Sequence, residues 1–321
     1  MILIFSDGVC NKSIDDVKDW INYYHGDCVC INSNTILNNK ISISLSDDNG
    51  FSFHIKNDET LISLDKVNVI WNWRWYDYGF SDIKLNKNST VIKKYMYDEL
   101  NSLYGYLRFF TSNKFWWGEK YVNKLRALYE AQICGLSVPS THITNSKNEL
   151  RFYFNKYNNI VMKSISDSIF FNKEGEEFCM YTSKVTEEMI VALPDYFFPM
   201  LIQNEIKKDF EVRSFFLNNQ FYSAAILSQN DPMTRVDFRN YNLGCPNRIV
   251  PYKLPSEIEN KLRLLMEKLD LDTGSIDIIY SNNKHYFLEI NPVGQFDMIS
   301  SPCNFLLTKQ IAKYLVLKDK E

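Results

Sequence analysis

Two apolar runs near the C-terminal end of the chain predict a hairpin that carries acidic and amide side chains. Residues 273–280 and 286–292 are rich in β-branched and aromatic residues, and a short polar stretch separates them, as expected for two strands and a turn. Glu289 and Asn291 are two residues apart on the second strand, so their side chains leave the same face of the sheet. Asp277, on the first strand, joins them if it lies opposite Glu289. We expect this register, which requires a turn with an odd number of residues; a two-residue turn would direct the Asp277 carboxylate away from the other two.

Two carboxylates and one amide oxygen on one face form a set of hard oxygen ligands. Such ligands suit Mg²⁺, which usually keeps several waters and takes further ligands from a nucleotide's phosphates. Pro292 ends the second strand because it has no N–H group to donate to the ladder. An edge hairpin with a solvated polar face is the alternative, and two acidic residues alone would favour it.

The same stretch resembles the C-terminal Mg²⁺-binding motif of ATP-grasp ligases. Residues 291–296, Asn-Pro-Val-Gly-Gln-Phe, resemble one branch of that superfamily, the peptide maturases that make graspetides. The match to the grasp-with-spasm type is the closest, through residues 301–304, Ser-Pro-Cys-Asn. The resemblance implies that Asp277, Glu289 and Asn291 hold Mg²⁺.

Composition excludes several other classes of function. The net charge of −3, with Lys and Arg dispersed along the 321 residues, gives no electrostatic footprint for nucleic acid. The seven cysteines form no Cys-x-x-Cys pair and the four histidines are far apart, so we expect no zinc site and free thiols in a reducing compartment. The N-terminus lacks the features of a signal peptide, and no apolar run approaches the length of a membrane span. We therefore expect a cytoplasmic protein without nucleic-acid or membrane partners.

The chain is long enough for two or three packed units. Its first third has apolar runs typical of buried strands at residues 2–5, 28–31 and 67–71, with a helical pattern at 13–24. These elements predict a small open α/β unit over residues 1–118.

This unit resembles the pre-ATP-grasp domain. The resemblance implies a mixed α/β (α+β) chain with the ATP-grasp fold. We expect the central ATP-grasp subdomain at residues 119–200 and the C-terminal one at 201–321.

Two lysines are candidates for binding phosphate. Lys124 lies in a predicted helix, 121–134, that ends at a glycine, and a lone helical lysine is usually solvated surface. Lys163 ends the apolar run 160–163, where its buried stem is costly unless an anion meets the ammonium; a lysine that snorkels from a sheet edge is the alternative. Both positions resemble the phosphate-facing lysines of ATP-grasp enzymes, which implies that both neutralise ATP phosphates. The serine-containing loop at 164–168 departs from the family's glycine-rich lid.

Residues 200–206 resemble the strand that joins the two halves of an ATP-grasp fold. Gln203 and Glu205 share one face of this predicted strand. The resemblance implies that Gln203, Asn204 and Glu205 seat the nucleoside of ATP.

Two charged motifs follow the joining strand. Glu211 and Arg213 project from one face and resemble the family's Lys-x-x-Glu-x-Arg, although an exposed ion pair of little energetic value is the alternative. Residues 228–229, Ser-Gln, and the segment with Arg235, Asp237 and Arg239 resemble the Ser-Gln … Asp-Trp-Arg element of microviridin-type ligases, with phenylalanine in place of tryptophan. Two arginines beside a carboxylate suit bidentate capture of an Asp or Glu side chain, and a surface Arg/Asp network is the alternative. The resemblance implies that Arg213, Arg239 and Glu211 position the reacting carboxylate, and Arg235 and Asp237 are catalytic candidates beside them.

The resemblance as a whole implies an ATP-dependent peptide macrocyclase. Such an enzyme activates Asp or Glu side chains of a ribosomal precursor peptide, made of leader and core, as acyl phosphates, and forms ω-ester or ω-amide crosslinks with Thr, Ser or Lys. A homodimer is expected by analogy. Two alternatives remain: another ATP-grasp carboxylate–amine ligase that acts on a peptide or protein terminus, and a non-catalytic nucleotide- or peptide-binding module. The complete Asp/Glu/Asn set argues against the second.

Overall fold

The computed structural model divides the chain into two compact units. One contains Met1–Lys120 together with Leu306–Glu321, and the other contains Tyr121–Phe305. The structure describes residues 1–6, 12–32, 40–46, 50–57, 60–73, 89–118, 120–166, 170–173, 176–179, 182–229, 231, 234, 237–238, 244 and 246–321.

The first unit is built on a parallel four-stranded sheet in the order β2-β1-β6-β7. The central strands of this sheet, Ile2–Phe5 and Val69–Asn72, are buried along their whole length, as expected for apolar runs in a parallel sheet, whereas the strand Cys28–Ile31 at its edge is only partly buried. Its strands are β1 (Ile2–Phe5), β2 (Cys28–Ile31), β6 (Val69–Asn72) and β7 (Phe115–Trp117).

Helices and a small antiparallel sheet complete the first unit. The helices are α1 (Lys12–Tyr23), α2 (Ser89–Phe110) and α8 (Leu307–Lys320); the antiparallel strands are β3 (Lys40–Ser46), β4 (Gly50–Asn57) and β5 (Thr60–Ser63), followed by a 3₁₀ turn at Leu64–Lys66. The final helix packs against α1. The grouping of residues 201–321 in one C-terminal subdomain stays a prediction.

The second unit contains two larger antiparallel sheets. One has the order β12-β9-β13-β8 and the other the order β16-β15-β14-β17-β18. The strands of the first are β8 (Thr141–Ser146), β9 (Ile160–Lys163), β12 (Ser183–Lys184) and β13 (Tyr196–Asn204); those of the second are β14 (Phe210–Leu217), β15 (Gln220–Leu227), β16 (Arg248–Pro251), β17 (Thr273–Ser281) and β18 (Lys284–Asn291). The division of this part of the chain at residue 200, which falls inside β13, stays a prediction.

Each of these sheets packs one face against helices, and the polar residues of the site lie on the other face. The helices are α3 (Lys124–Ile133), α4 (Lys147–Tyr157), α5 (Glu187–Ala192), α6 (Ser256–Lys268) and α7 (Asp297–Ser300); a separate hairpin joins β10 (Phe170–Lys173) and β11 (Glu176–Cys179). The core of the five-stranded sheet contains Val212, Ile276, Ile278 and Phe287, packed with residues of α3 and α6. In the described part of the chain, no helix combines the length and apolarity needed to cross a membrane.

Candidate functional site

The hairpin of β17 and β18 has the predicted pairing but not the predicted turn. Asn282 and Asn283 form a two-residue turn with φ of 48° and 60°, typical of type I′, so the expectation of an odd-numbered turn is wrong. Asp277 nevertheless lies opposite Glu289, because the register shifts by one residue between Asp277 and Ile278. Leu288 is the additional residue, and the irregularity is a β-bulge.

The bulge directs Glu289 away from the core. In a regular ladder continuing from the turn, Leu288 would lie opposite Asp277, and Glu289 would lie opposite Ile276 in the hydrophobic core. With the bulge, Leu288 and Glu289 both line the same cavity, next to Asp277. A bulge of this kind re-aims a side chain at the edge of a functional site.

The three predicted metal ligands lie together on one face of the sheet. Asn291 follows Glu289 by two residues, and its Nδ2 donates to Asp277 Oδ2 over 3.3 Å. A flip of this amide would present its oxygen to a cation. Among the described residues no group of three or more His, Cys, Asp or Glu side chains could hold a metal ion, so a metal here would use two carboxylates and the amide. That donor set fits Mg²⁺, with waters or phosphate oxygens filling the other positions.

Arg213 is held by one of these carboxylates. It lies opposite Asp277 on β14, and its NH1 atom donates to both carboxylate oxygens, over 3.0 and 3.2 Å. Its NH2 atom donates to Gln295 Oε1 over 3.2 Å. The arginine is only 2% exposed, which is incompatible with an exposed surface ion pair. A buried pair of this geometry fixes the guanidinium beside the metal ligands.

Glu211 is buried two residues before Arg213 on the same face. Its Oε1 accepts hydrogen bonds from Lys208 Nζ and from Ser228 Oγ, the latter over 3.2 Å. Burial raises the pKa of Glu211 to about 7; the Lys208 ammonium opposes this increase, and the Asp277 carboxylate adds to it. Our interpretation of the sequence gave Lys208 and Ser228 no role, although Lys208 is the first residue of the Lys-x-x-Glu-x-Arg motif.

Lys124 is the first residue of α3 and not an interior residue of the predicted 121–134 helix. Asn123 is the N-cap, with its Oδ1 accepting from Leu125 N and Arg126 N over 3.0 and 3.1 Å, so the helix starts three residues later than predicted. The Lys124 ammonium donates to Ser166 O over 2.8 Å and lies 3.5 Å from Glu289 Oε2.

Lys163 is the last residue of β9, as predicted, and lies opposite Leu201. It shares a sheet face with Val161 and Gln203, and all three side chains contribute to the lining of one cavity. Lys124 also lines that cavity, so both predicted phosphate-binding lysines reach it.

The joining strand contributes three residues to the same cavity. Gln203 is buried, and its Nε2 donates to Thr141 Oγ1 over 2.9 Å. Asn204 ends β13, and its Oδ1 accepts from a backbone N–H over 2.7 Å. Glu205 follows the strand and accepts from Lys184 Nζ over 2.8 Å. The strand thus ends at Asn204, before the predicted end at residue 206.

Asp237 lines the cavity from the segment after β15. Its Oδ2 accepts a hydrogen bond from the backbone N–H of Thr182 over 3.1 Å. The two predicted partners, Arg235 and Arg239, lie outside the described residues, and their role stays a prediction.

One cavity therefore collects most of the predicted site. Arg213 and Asn291 contact Asp277 in its wall. The cavity is lined by Lys124, Pro139, Val161, Lys163, Ser164, Thr182, Gln203, Asn204, Glu205, Ile206, Lys208, Glu211, Asp237, Phe238, Asp277, Ile279, Leu288 and Glu289.

Solved structures identify the fold that carries this cavity; no family model and no curated protein sequence matches the chain. The RiPP-associated ATP-grasp ligase of Chryseobacterium gregarium, solved with ADP and a leader and core peptide, is 25% identical with a TM-score of 0.85. The match covers 99% of this chain and 96% of that chain. This chain has the fold of the RiPP-associated ATP-grasp ligases. The predicted fold class is thereby confirmed.

Two further ATP-grasp enzymes share the fold. The macrocyclase MdnC of Microcystis aeruginosa, solved with the precursor peptide MdnA, is 23% identical with a TM-score of 0.81, covering 98% of this chain and 99% of that one. The ligase PsnB, solved with a minimal precursor variant, Mg and ADP, is 13% identical with a TM-score of 0.74, covering 99% of this chain and 98% of that one.

The cavity of this ATP-grasp ligase combines three kinds of lining that suit a metal-bound nucleotide. Val161, Ile206 and Ile279 offer an apolar wall against which a planar base can pack. The two lysines offer charge for phosphates. Asp277 and Glu289, on the β17–β18 hairpin that we call the metal hairpin after its predicted role, offer hard oxygens for a divalent cation. A residue set of this kind performs phosphoryl transfer by positioning and electrostatic stabilisation.

Proposed function

We propose that this ATP-grasp ligase is a macrocyclase of a ribosomally made precursor peptide with a leader and a core. The observation that carries the proposal is the single cavity in which both lysines, the joining strand and the metal hairpin meet. The likeness to the Chryseobacterium ligase over nearly the whole of both chains supports it. The finer likeness to the grasp-with-spasm type stays a prediction.

ATP, when bound, supplies the γ-phosphoryl group that converts an Asp or Glu side chain of the peptide into an acyl phosphate, which a Thr, Ser or Lys side chain attacks. Each ring closure releases ADP and phosphate and removes the elements of one water from the peptide. Lys124 and Lys163 neutralise phosphate charge, and Asp277, Glu289 and Asn291 hold Mg²⁺. The positions of Lys124, Lys163, Asp277 and Glu289 along the cavity support these roles, and Asn291 contacts Asp277.

Arg213 stabilises the negative charge that develops during acyl transfer. Its guanidinium is oriented by Asp277 and Gln295 before substrate arrives, so little reorganisation is needed. Glu211 acts through Lys208, which it holds at the cavity wall. Asp237, with Arg235 and Arg239, positions the peptide carboxylate.

Gln203, Asn204 and Glu205 seat the nucleoside. Gln203 and Asn204 are held by hydrogen bonds to residues 141 and 140, so the joining strand presents a preorganised edge. The proposed enzyme acts in the cytoplasm, where ATP and ribosomal precursor are both present, and forms a homodimer whose mass light scattering can measure.

The test is mass spectrometry of a candidate precursor peptide, incubated with protein, ATP and Mg²⁺. We expect loss of one or more waters, abolished by Glu289→Gln and retained by Glu257→Gln. Glu257 is the matched control because it is an exposed glutamate that pairs with Lys261 on α6. A peptide that instead gains the mass of a second amine would indicate a different carboxylate–amine ligase. Failure to bind ATP would refute both functions.

A further inference from the structure

Lys124 contacts a proposed metal ligand as well as facing the proposed phosphate site. Its ammonium lies 3.5 Å from Glu289 Oε2, and the two side chains are 14% and 11% exposed. At this distance and burial the attraction is screened less than at an exposed surface pair. Without a metal ion, the Lys124 ammonium therefore supplies positive charge to Glu289, which the metal ion would supply when bound.

The two carboxylates of the metal hairpin are neutralised by different kinds of partner. Arg213 donates two hydrogen bonds to Asp277 and is almost fully buried. Lys124 reaches Glu289 with a flexible stem, and its hydrogen bond goes to the backbone carbonyl of Ser166. A lysine ammonium is a mobile point charge, whereas a buried arginine fork is fixed. Of the two cations, Lys124 is the one that can move.

A divalent cation at Glu289 and the Lys124 ammonium repel each other. Metal binding to the hairpin is therefore weakened while Lys124 stays beside Glu289. Nucleotide phosphates attract the same ammonium, so their arrival withdraws it from the carboxylate. Two ligands that each bias the position of one side chain are coupled, and the coupling acts equally in both directions.

We propose that Lys124 is a counter-cation that makes metal binding at Glu289 depend on nucleotide binding. The inference rests on the proposed function, because it takes the cavity to be a nucleotide–metal site. It assigns Lys124 a positioning role in addition to phosphate neutralisation. The consequence is that the hairpin binds a divalent cation tightly only together with nucleotide phosphates.

The test is a Mn²⁺ titration of the protein without nucleotide, followed through the electron paramagnetic resonance signal of free Mn²⁺. We expect Lys124→Met to bind Mn²⁺ at least about tenfold more tightly than the unmodified protein, which is about 1.4 kcal/mol. Lys184→Met is the matched control, since Lys184 pairs with a cavity-lining carboxylate, Glu205, that is not a metal ligand. We expect that variant to change the affinity by less than about threefold.

Two further arms make the result specific. Adding Glu289→Gln to Lys124→Met should abolish the gain, because the gain is assigned to that carboxylate. In the unmodified protein, ADP should increase the affinity for Mn²⁺. In Lys124→Met this increase should be smaller, by the same factor by which the substitution raises Mn²⁺ affinity in the absence of nucleotide. Lys124→Gln serves as a second variant if Lys124→Met does not fold.

Equal Mn²⁺ affinities of the unmodified protein and Lys124→Met would overturn the inference. An equal gain in Lys184→Met would also overturn it, because the effect would then be one of general charge. Absence of Mn²⁺–ADP binding to the unmodified protein would instead refute the proposed function. The Mn²⁺ titrations without nucleotide can be interpreted whether or not the unmodified protein binds Mn²⁺–ADP.

Discussion

Glu211 should give this protein a stability that falls as pH rises. Burial raises the pKa of Glu211 from 4.5 to about 7, so the native state holds this proton more tightly than the unfolded chain does. Between these two values the unfolded state loses its proton first, and unfolding becomes more favourable. The stabilising contribution is complete below pH 4.5 and is lost as pH rises through about 7.

The magnitude follows from the size of the shift. A change from 4.5 to about 7 corresponds to about 3 kcal/mol of differential protonation energy. Glu211→Gln cannot titrate, so it should remove this dependence while adding only a nearly constant cost for exchanging the neutral carboxyl for an amide. The difference in unfolding free energy between the unmodified protein and Glu211→Gln should therefore shrink by about 3 kcal/mol from pH 4.5 to pH 8.

Urea unfolding followed by far-UV circular dichroism measures this difference. All six tryptophans belong to the first unit, so tryptophan fluorescence reports on that unit separately from the one that holds Glu211. Glu257→Gln is the control, since the pKa of this exposed glutamate is lowered, mainly by its hydrogen bond with Lys261, and any effect should have the opposite sign. Parallel pH profiles of the unmodified protein and Glu211→Gln would refute the reasoning.

Other contacts around the site make separate predictions for equilibrium unfolding. Arg213→Met should cost about 3–5 kcal/mol, because it leaves the Asp277 carboxylate buried without its cation, and combining it with Asp277→Asn should cost less than the two changes added. Gln295→Ala should cost only about 1 kcal/mol, since Arg213 keeps its bonds to Asp277; an equal loss in Gln295→Ala and Arg213→Met would contradict this. Gly294→Ala should cost about 2–4 kcal/mol, because φ is +69° and the new Cβ would lie 2.6 Å from Phe215 Cε2; unchanged stability would contradict the assigned backbone.

Uniform apolar runs predicted several elements to the residue. Ile2–Phe5, Cys28–Ile31 and Ile160–Lys163 have the bounds that the sequence predicted, because a polar residue follows each of them directly and ends the pattern there. The helix Lys147–Tyr157 was not predicted. Leu150 is its only fully buried side chain among those described, so the helix has little of the apolar stripe by which helices are recognised.

The sequence predicted which residues form the site more fully than it predicted which of them contact one another. Resemblance and strand alternation predicted that Asp277 and Glu289 share one face, and the structure places them opposite each other. That Arg213 lies opposite Asp277 depends on the pairing of β14 with β17, which the sequence analysis did not predict. The hydrogen bond from Ser228 to Glu211 depends on how β14 and β15 pair, which residue spacing alone does not specify. The contact between Lys124 and Glu289 joins a helix start to a strand far along the chain, and only tertiary structure reveals it.

The bulge at Leu288 leads to a last prediction, because it reconciles a two-residue turn with the register that the metal ligands need. Deleting Leu288 removes the additional residue but leaves Asp277 opposite Glu289, so the variant should fold and keep Mn²⁺–ADP binding. Deleting Ile290 should fail in both respects, since either Glu289 or Asn291 must then turn into the core. Circular dichroism and the Mn²⁺ titration measure both outcomes, and equal behaviour of the two deletions would show that the bulge does not set the register.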